Sequence, residues 1–386
     1  MINLNLPNIS NKEIKSSSEA LKAGWVSAGK YVELFEKRFK EFVSTKYAIC
    51  MVNGSSALQL ALRLVDCNKD NEVIVPSISF IATANAVIYN NSTPIFLDTD
   101  EYLNLSVENL KEFLKFRTFK KKGFTYNKRT KKKIVAVVVV HVLGNSANLS
   151  EIKKLCKKNK IYLIEDAAES LGTYFKNKKD KKHTGTIGDI GCFSFNANKI
   201  ITTGGGGMLV TNNKKFAEKA RFLKFQAKEN SYYFDHTEIG YNFRLPNPNC
   251  AIGYEQLGRI KNFLKNKKNN YKIYKTLLNK KMKLLEPPVY SESNHWLTAI
   301  KLKNKKNILD FAIKFLEKNK IEARPIWKLL YEQKRYKDYE KFRIKASKKN
   351  ISNYLCIPSS SSMSFKDLNY VSNKLNILAE KINKFQ

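Results

Sequence analysis

Tyr47-Ala48-Ile49-Cys50-Met51-Val52-Asn53-Gly54-Ser55-Ser56-Ala57-Leu58-Gln59-Leu60-Ala61-Leu62 runs from an apolar strand through a polar turn into a helix. The same rhythm repeats downstream. Glu72 to Val75 reads as a strand stopped by Pro76, Ala82 to Tyr89 as a helix, and Pro94 to Leu97 as a short strand. Ile134 to Val140 is a β-branched strand followed by a helix from Leu149 to Lys158, a strand from Tyr162 to Ile164 and a helix-like Ala167 to Leu171. Short strands follow around Cys192 to Phe195 and Gly207 to Val210. Upstream, residues 10 to 43 read as two helices around a Gly-Trp-Val-Ser-Ala-Gly loop, with Phe35 and Phe39 on the core face of the second. Strands alternating with helices require crossover connections, hence an α/β fold with a mainly parallel sheet.

The segment from Lys115 to Lys133 interrupts this rhythm with Lys, Arg, Thr and Asn and reads as an exposed insertion. From about Leu257 the pattern changes to Lys-rich helices, one strand near Trp296 to Leu302 and a final helix from Asp367 to Lys384. A length of 386 residues suits a large domain, 1–255, and a smaller C-terminal α+β domain, 256–386.

The net charge is +36, with 43% hydrophobic and 27% charged residues. A field of that sign attracts phosphates, nucleic acid or anionic membrane surfaces. Most of the excess lies in Lys-Asn mixtures such as Lys153 to Lys160, the mark of a solvated helix face in a lysine-biased composition, and no nucleic-acid-binding signature is present. Six dispersed cysteines form neither a metal-ligand spacing nor a disulfide framework, and no apolar run approaches membrane-spanning length. A reducing, cytoplasmic setting without membrane insertion or a metal is therefore expected.

Four motifs carry chemistry. Asn53-Gly54-Ser55-Ser56 opens a helix, where free N–H groups and hydroxyls can bind phosphate, or where a serine simply caps. Glu165, Asp166 and Glu169 follow a buried strand; a carboxylate there can pair with a protonated ring nitrogen, as a pyridoxal cofactor needs, or cap a helix. Lys199 leaves the apolar Phe193-Ser194-Phe195 and precedes Gly204-Gly205-Gly206-Gly207, a setting in which an amine can become nucleophilic, unless it is a solvated loop lysine. Gly240-Tyr241-Asn242-Phe243-Arg244 offers an amide and a guanidinium for an anion or for a turn. His141 and His183 read as structural, and hydrolase, NTPase and dinucleotide signatures are absent.

In this order the motifs resemble the DegT/DnrJ/EryC1/StrS family of pyridoxal-phosphate-dependent nucleotide-sugar aminotransferases, from Gly24-Trp25-Val26-Ser27 to about residue 330. The resemblance implies the fold type I aminotransferase architecture. It also implies that Lys199 is the Schiff-base lysine, Asp166 the partner of the pyridine nitrogen, Ser194, Ser55 and Ser56 the phosphate contacts, and Phe80 the aromatic stacked on the cofactor. Glu169 stands where many relatives carry Gln or His. Asn242 matches a residue that reaches the phosphate from a neighbouring subunit, which implies a homodimer with shared sites, and Arg244 matches a carboxylate or phosphate contact. The stretch Pro76 to Ala86, the insertion before Ile134 and Gly188 to Phe193 look most like enzymes that aminate C4 of 4-keto-6-deoxy-N-acetylglucosamine nucleotides in bacillosamine or legionaminic acid routes. L-glutamate is the implied amino donor. Rival readings are C3 amination, perosamine formation, or a basic nucleic-acid or membrane-surface binding protein on the same fold.

Overall fold

The computed structural model describes residues 1–177, 180–230, 232–302 and 307–384. Helices α1 (Asn11–Lys22) and α2 (Lys30–Val43) lead into strand β1 (Tyr47–Met51) and helix α3 (Gly54–Leu64). Then come β2 (Asn71–Pro76), α4 (Ala82–Tyr89), β3 (Thr93–Leu97), α5 (Val107–Phe116), β4 (Thr118–Lys121), β5 (Phe124–Asn127) and β6 (Lys133–Val140). After them follow α6 (Leu149–Asn159), β7 (Tyr162–Asp166), β8 (Tyr174–Lys176), β9 (Lys181–His183), β10 (Ile190–Ser194), β11 (Gly207–Thr211), α7 (Lys214–Lys224) and α8 (Asn247–Gly258). The remainder comprises α9 (Ile260–Leu277), β12 (Lys283–Leu284), β13 (Ser291–Glu292), β14 (Thr298–Lys301), α10 (Ile308–Lys318), β15 (Arg324–Pro325), β16 (Lys341–Phe342), α11 (Ala346–Ile351), β17 (Tyr354–Ile357) and α12 (Phe365–Lys384).

The main sheet has the order β1-β11-β10-β7-β6-β2-β3-β16. Every neighbouring pair from β10 to β16 is parallel, while β11 runs antiparallel to both β1 and β10. Burial on both faces explains the continuous apolar runs of β6 and β2, since helices cover a parallel sheet on either side. A second sheet, β12-β14-β17-β15, packs with α9, α10 and α12 around its own core of Leu316, Leu355 and Leu375. The compositional change near residue 255 falls inside α8, and β16 returns to the edge of the main sheet.

Phe35 and Phe39 are fully buried, as expected of core residues. Phe39 meets Phe193 and Phe195 at centroid distances of 5.1 and 5.5 Å, and Phe35 meets Phe195 at 5.3 Å. This cluster of tilted aromatic rings fixes β10 immediately before the Lys199 loop.

Two local expectations are corrected and one is filled in. The stretch after β7 forms turns, not a helix, with Ala167 N bonding Cys192 O across to β10 and Ala168 N bonding Asp166 Oδ1. The Lys-rich insertion is largely exposed, as read, and is an ordered β4–β5 hairpin attached to β6, with Asn127 buried and its Nδ2 donating to both Glu72 and Glu340, at 2.9 and 2.8 Å. Helix α3 starts at Gly54 rather than Ala57, so Ser55 and Ser56 belong to its first turn.

Candidate active site

The site forms where β7, β10 and the β1–α3 turn end on the same side of the sheet, at the carboxyl ends of parallel strands. Asn53 caps α3, its Oδ1 accepting from Ser56 N at 2.7 Å, while its carbonyl accepts from Ala57 N. The amides of Gly54 and Ser55 keep no protein partner among the described residues, which leaves an anion-binding pair at a helix N-terminus. The turn is packed too tightly for a side chain at residue 54: a Cβ there would lie 2.8 Å from Ser194 Cβ. Likewise a Cβ at Gly207 would stand 2.6 Å from the Asn53 carbonyl carbon, so β11 runs directly beneath the turn.

Of the acids ending β7, Glu165 faces away from the cavity. Burial alone would raise its pKa, but the bond from His141 Nε2 at 3.0 Å and those from the Gly188 and Gly185 amides hold the carboxyl below the usual value. That makes His141 structural, as does the 2.7 Å bond from Gly172 N to His183, whose burial holds its pKa down at about 4. Asp166 faces the cavity, with Thr83 Oγ1 donating at 2.7 Å and Ala168 N at 3.2 Å. Burial raises the Asp166 pKa; these two donors and the charge of Lys199 oppose it. No helix follows for Asp166 to cap.

Lys199 sits on the β10–β11 loop with its side chain 14% exposed, too little for a solvated lysine. Its ammonium lies 3.9 Å from Glu169 Oε1 and 4.0 Å from the Trp296 ring centroid. Burial lowers the Lys199 pKa, against the pull of Glu169 and Asp166. Burial also pushes Glu169 up to about 7, even though Lys199 and the Leu143 amide favour its charged form. Trp296 is pinned by its Nε1 donating to Asn198 O at 2.6 Å.

Lys199, Asp166, Glu169, Ser55, Ser194 and Phe80 open on one cavity of about 400 Å³, within the usual range for small-ligand sites. Ser56 lies behind it, buried in the first turn of α3. Asn242 and Arg244 do not join the cavity within one chain. Arg244 Nε reaches Asn242 Oδ1 at 3.4 Å on the surface, and the guanidinium lies over the Phe225 ring at 4.4 Å. Reading the sequence missed Thr83, Ser79, Trp296 and Trp327. Their available signals were the Ser79 to Thr83 spacing at the start of α4 and the rarity of tryptophan, three in the chain. The cavity thus offers amides and hydroxyls for a dianion, a buried carboxylate for a cation and an amine for a carbonyl carbon. Among the described residues no group of acids, cysteines and histidines could hold a metal ion, and no helix is long and apolar enough to cross a membrane.

The chain is 38% identical to EpsN of Bacillus subtilis, whose name places it among pyridoxal phosphate-dependent aminotransferases, over 86% of this chain and 83% of that protein. It is 35% identical to the GDP-perosamine synthase of Vibrio cholerae over 85% of each. Identity to the UDP-4-amino-4,6-dideoxy-N-acetyl-beta-L-altrosamine transaminase of Campylobacter jejuni serotype O:23/36 is 29%, over 100% of this chain and 99% of that protein. The crystal structure of a DegT DnrJ EryC1 StrS aminotransferase from Brucella abortus superimposes with a TM-score of 0.86 at 26% identity, covering 96% of this chain and 95% of that one. With residues 7–376 matching the family description as well, the chain belongs to the DegT/DnrJ/EryC1/StrS aminotransferase family.

Proposed function

We propose that the protein is a pyridoxal-phosphate-dependent transaminase acting on a nucleotide-linked keto sugar. It moves an amino group from L-glutamate to C4 of a 4-keto-6-deoxy-N-acetylhexosamine carried by UDP or GDP. The observation that carries the reading is the convergence of the Lys199 amine, the Asp166 carboxylate and the bare amides of α3 on one cavity.

These residues fit the cofactor. Its phosphate suits the Gly54 and Ser55 amides with the Ser55 and Ser194 hydroxyls around them, its ring the exposed face of Phe80, its protonated nitrogen Asp166, and its aldehyde Lys199. When bound, it supplies an electron sink for charge developing beside the reacting nitrogen. Lys199, its pKa lowered by burial, would take the proton from the donor's α-carbon as base and deliver it as acid to the carbon that carried the aldehyde, with the reverse passage on the sugar side. Asp166 keeps the ring-nitrogen proton in place, and Thr83 and Ala168 hold its carboxylate in one orientation. Glu169, near its midpoint at neutral pH, sets the charge beside Lys199. Trp296 closes the wall over the amine and limits access of water.

A homodimer with shared sites belongs to the proposal. Asn242 is exposed, and its surroundings present Phe225, Tyr232, Phe234 and Ile239 to solvent, the composition of a surface that a second copy covers. The names of the relatives support a sugar-nucleotide substrate, and the Campylobacter jejuni protein, matched along the entire chain, supports a UDP-linked 4-amino product. The Vibrio cholerae similarity favours a second reading, perosamine formation on GDP.

Mass spectrometry of products from UDP- and GDP-linked 3- and 4-keto sugars separates these substrates. Lys199→Ala is expected to lose both turnover and the absorbance of lysine-bound cofactor near ~400 nm. Full transamination by that variant would overturn the assignment. For the dimer, mixing Lys199→Ala with Asn242→Ala subunits is expected to restore part of the activity through one intact shared site; a monomer in sedimentation would contradict it.

A further inference from the structure

A second cavity, of about 820 Å³, lies at the opposite end of the parallel strands, between the β4–β5 hairpin and α6. Asn71, Lys133 and Tyr162, the first residues of β2, β6 and β7, line it. Along β6, Lys133 is separated from Val140 in the Lys199 cavity by roughly 23 Å, at ~3.3 Å per residue.

Four lysines open on this cavity: Lys133, Lys153, Lys157 and Lys160. Two are gathered over one ring, with the Lys133 ammonium 4.0 Å and the Lys160 ammonium 5.7 Å from the Phe124 centroid. Lys120 joins them from β4, its Nζ donating to Thr125 Oγ1 at 2.7 Å. Burial first, then the charges of Lys160 and Lys158, hold the Lys120 pKa below its ordinary value. Among the described residues, Lys133, Lys157 and Lys160 form no salt bridge, and Lys153 donates to the Ile187 carbonyl at 2.6 Å. Two carboxylates share the wall, Asp66 and Asp189, the latter accepting from Leu163 N at 2.8 Å and feeling the charge of Lys153, so the four lysines outnumber the acids two to one.

Only Lys133 comes from the stretch Lys115 to Lys133, in which ten residues are basic and none acidic; Lys153, Lys157 and Lys160 come from α6 and the residue after it, so the fold gathers onto one wall lysines from two separate segments. Like charges brought together around a concave wall repel one another until a multivalent anion enters. Two adjacent phosphates match that need, and the volume suits a small molecule better than a flat bilayer. We propose that this cavity is a second, non-catalytic site for a diphosphate group carried by a small molecule. The inference stands independently of the transaminase reading, since none of these lysines touches the Lys199 cavity.

The test is calorimetric titration of inorganic pyrophosphate into cofactor-saturated protein at low ionic strength, compared with the double variant Lys133→Gln/Lys160→Gln. A saturable component, weakened at least tenfold in the variant while turnover is unchanged, is the expected result. Parallel titrations with UDP tell whether that component prefers the diphosphate free or on a nucleoside, and either preference supports the site. Equal pyrophosphate affinity in both proteins overturns the proposal. So does tighter capture of RNA or of anionic phosphatidylserine vesicles through the same lysines, which would reassign the patch to a macromolecular polyanion.

Discussion

Replacing Thr83 by valine removes one hydroxyl and keeps the side chain's shape. In the native site that hydroxyl donates to Asp166 Oδ2 at 2.7 Å and lies 2.7 Å from Ser79 Oγ. A hydrogen bond to an ionised acceptor is worth about 1.5–3 kcal/mol and one to a neutral acceptor about 0.5–1.5 kcal/mol. Burial favours the neutral form of Asp166, against the weaker pull of the Lys199 charge, and a protonated ring nitrogen demands the ionised form. The substitution therefore costs the cofactor-bound state about 1–1.5 kcal/mol more than the free state, which is roughly a 5–13-fold rise in Kd for pyridoxal phosphate. The assay is an absorbance titration of cofactor-free protein near neutral pH, with Thr83→Ser as the control that restores the hydroxyl. An unchanged Kd for Thr83→Val, or an equal loss in Thr83→Ser, would refute the reasoning by showing that the hydroxyl does not act through Asp166.

Gly54→Ala forces a Cβ to within 2.8 Å of Ser194 Cβ and is expected to destabilise the protein by about 1–3 kcal/mol, with a lower Tm and weaker cofactor retention. Adding Ser194→Gly should restore much of the Tm, and no recovery would place the strain elsewhere. Lys267 is buried without a carboxylate partner among the described residues, donating to Asn5 Oδ1, Trp296 O and Ser359 O at 3.0, 2.9 and 2.7 Å, and burial lowers its pKa from 10.5 to about 7. Because the folded value is depressed, its contribution is complete above 10.5 and is lost as pH falls towards 7. Chemical denaturation should show wild type gaining on Lys267→Met as pH rises through that window, by up to about 1.4 kcal/mol per pH unit, and a constant difference would contradict the depressed pKa.

Much of the fold was legible because parallel strands covered on both sides leave uninterrupted apolar runs such as Ile134 to Val140. The turn after β7 was not, since Ala167-Ala168-Glu169 has helical propensity and its turn geometry goes with tertiary contacts such as the bond from Ala167 N to Cys192 O. The hairpin escaped for the opposite reason. Its surface is rich in lysine and arginine, and its buried anchors, Asn127 and Thr125, give no local sign that two buried carboxylates and the Asn159 carbonyl await them. In the candidate site, Lys199 and Asp166 stood out by their position at strand ends. Trp296 comes from a distant segment that carries no motif, Thr83 stands inside the stretch Pro76 to Ala86 but shows its role only through its bond to Asp166, and Asn242 and Arg244 lie outside the cavity formed by one chain.

The strand β16 has a consequence for how the protein is made. Lys341 and Phe342 pair with Phe96 and Leu97 on β3, and the Phe342 ring packs on Phe113 at 5.5 Å. The border of the main sheet is therefore completed by residues that leave the ribosome long after the rest of that sheet. Until then, β3 offers unpaired amides and carbonyls to any extended segment nearby. A nascent chain stalled near residue 255 is thus expected to need a holdase, while the released full-length chain shields that border with its own later segment.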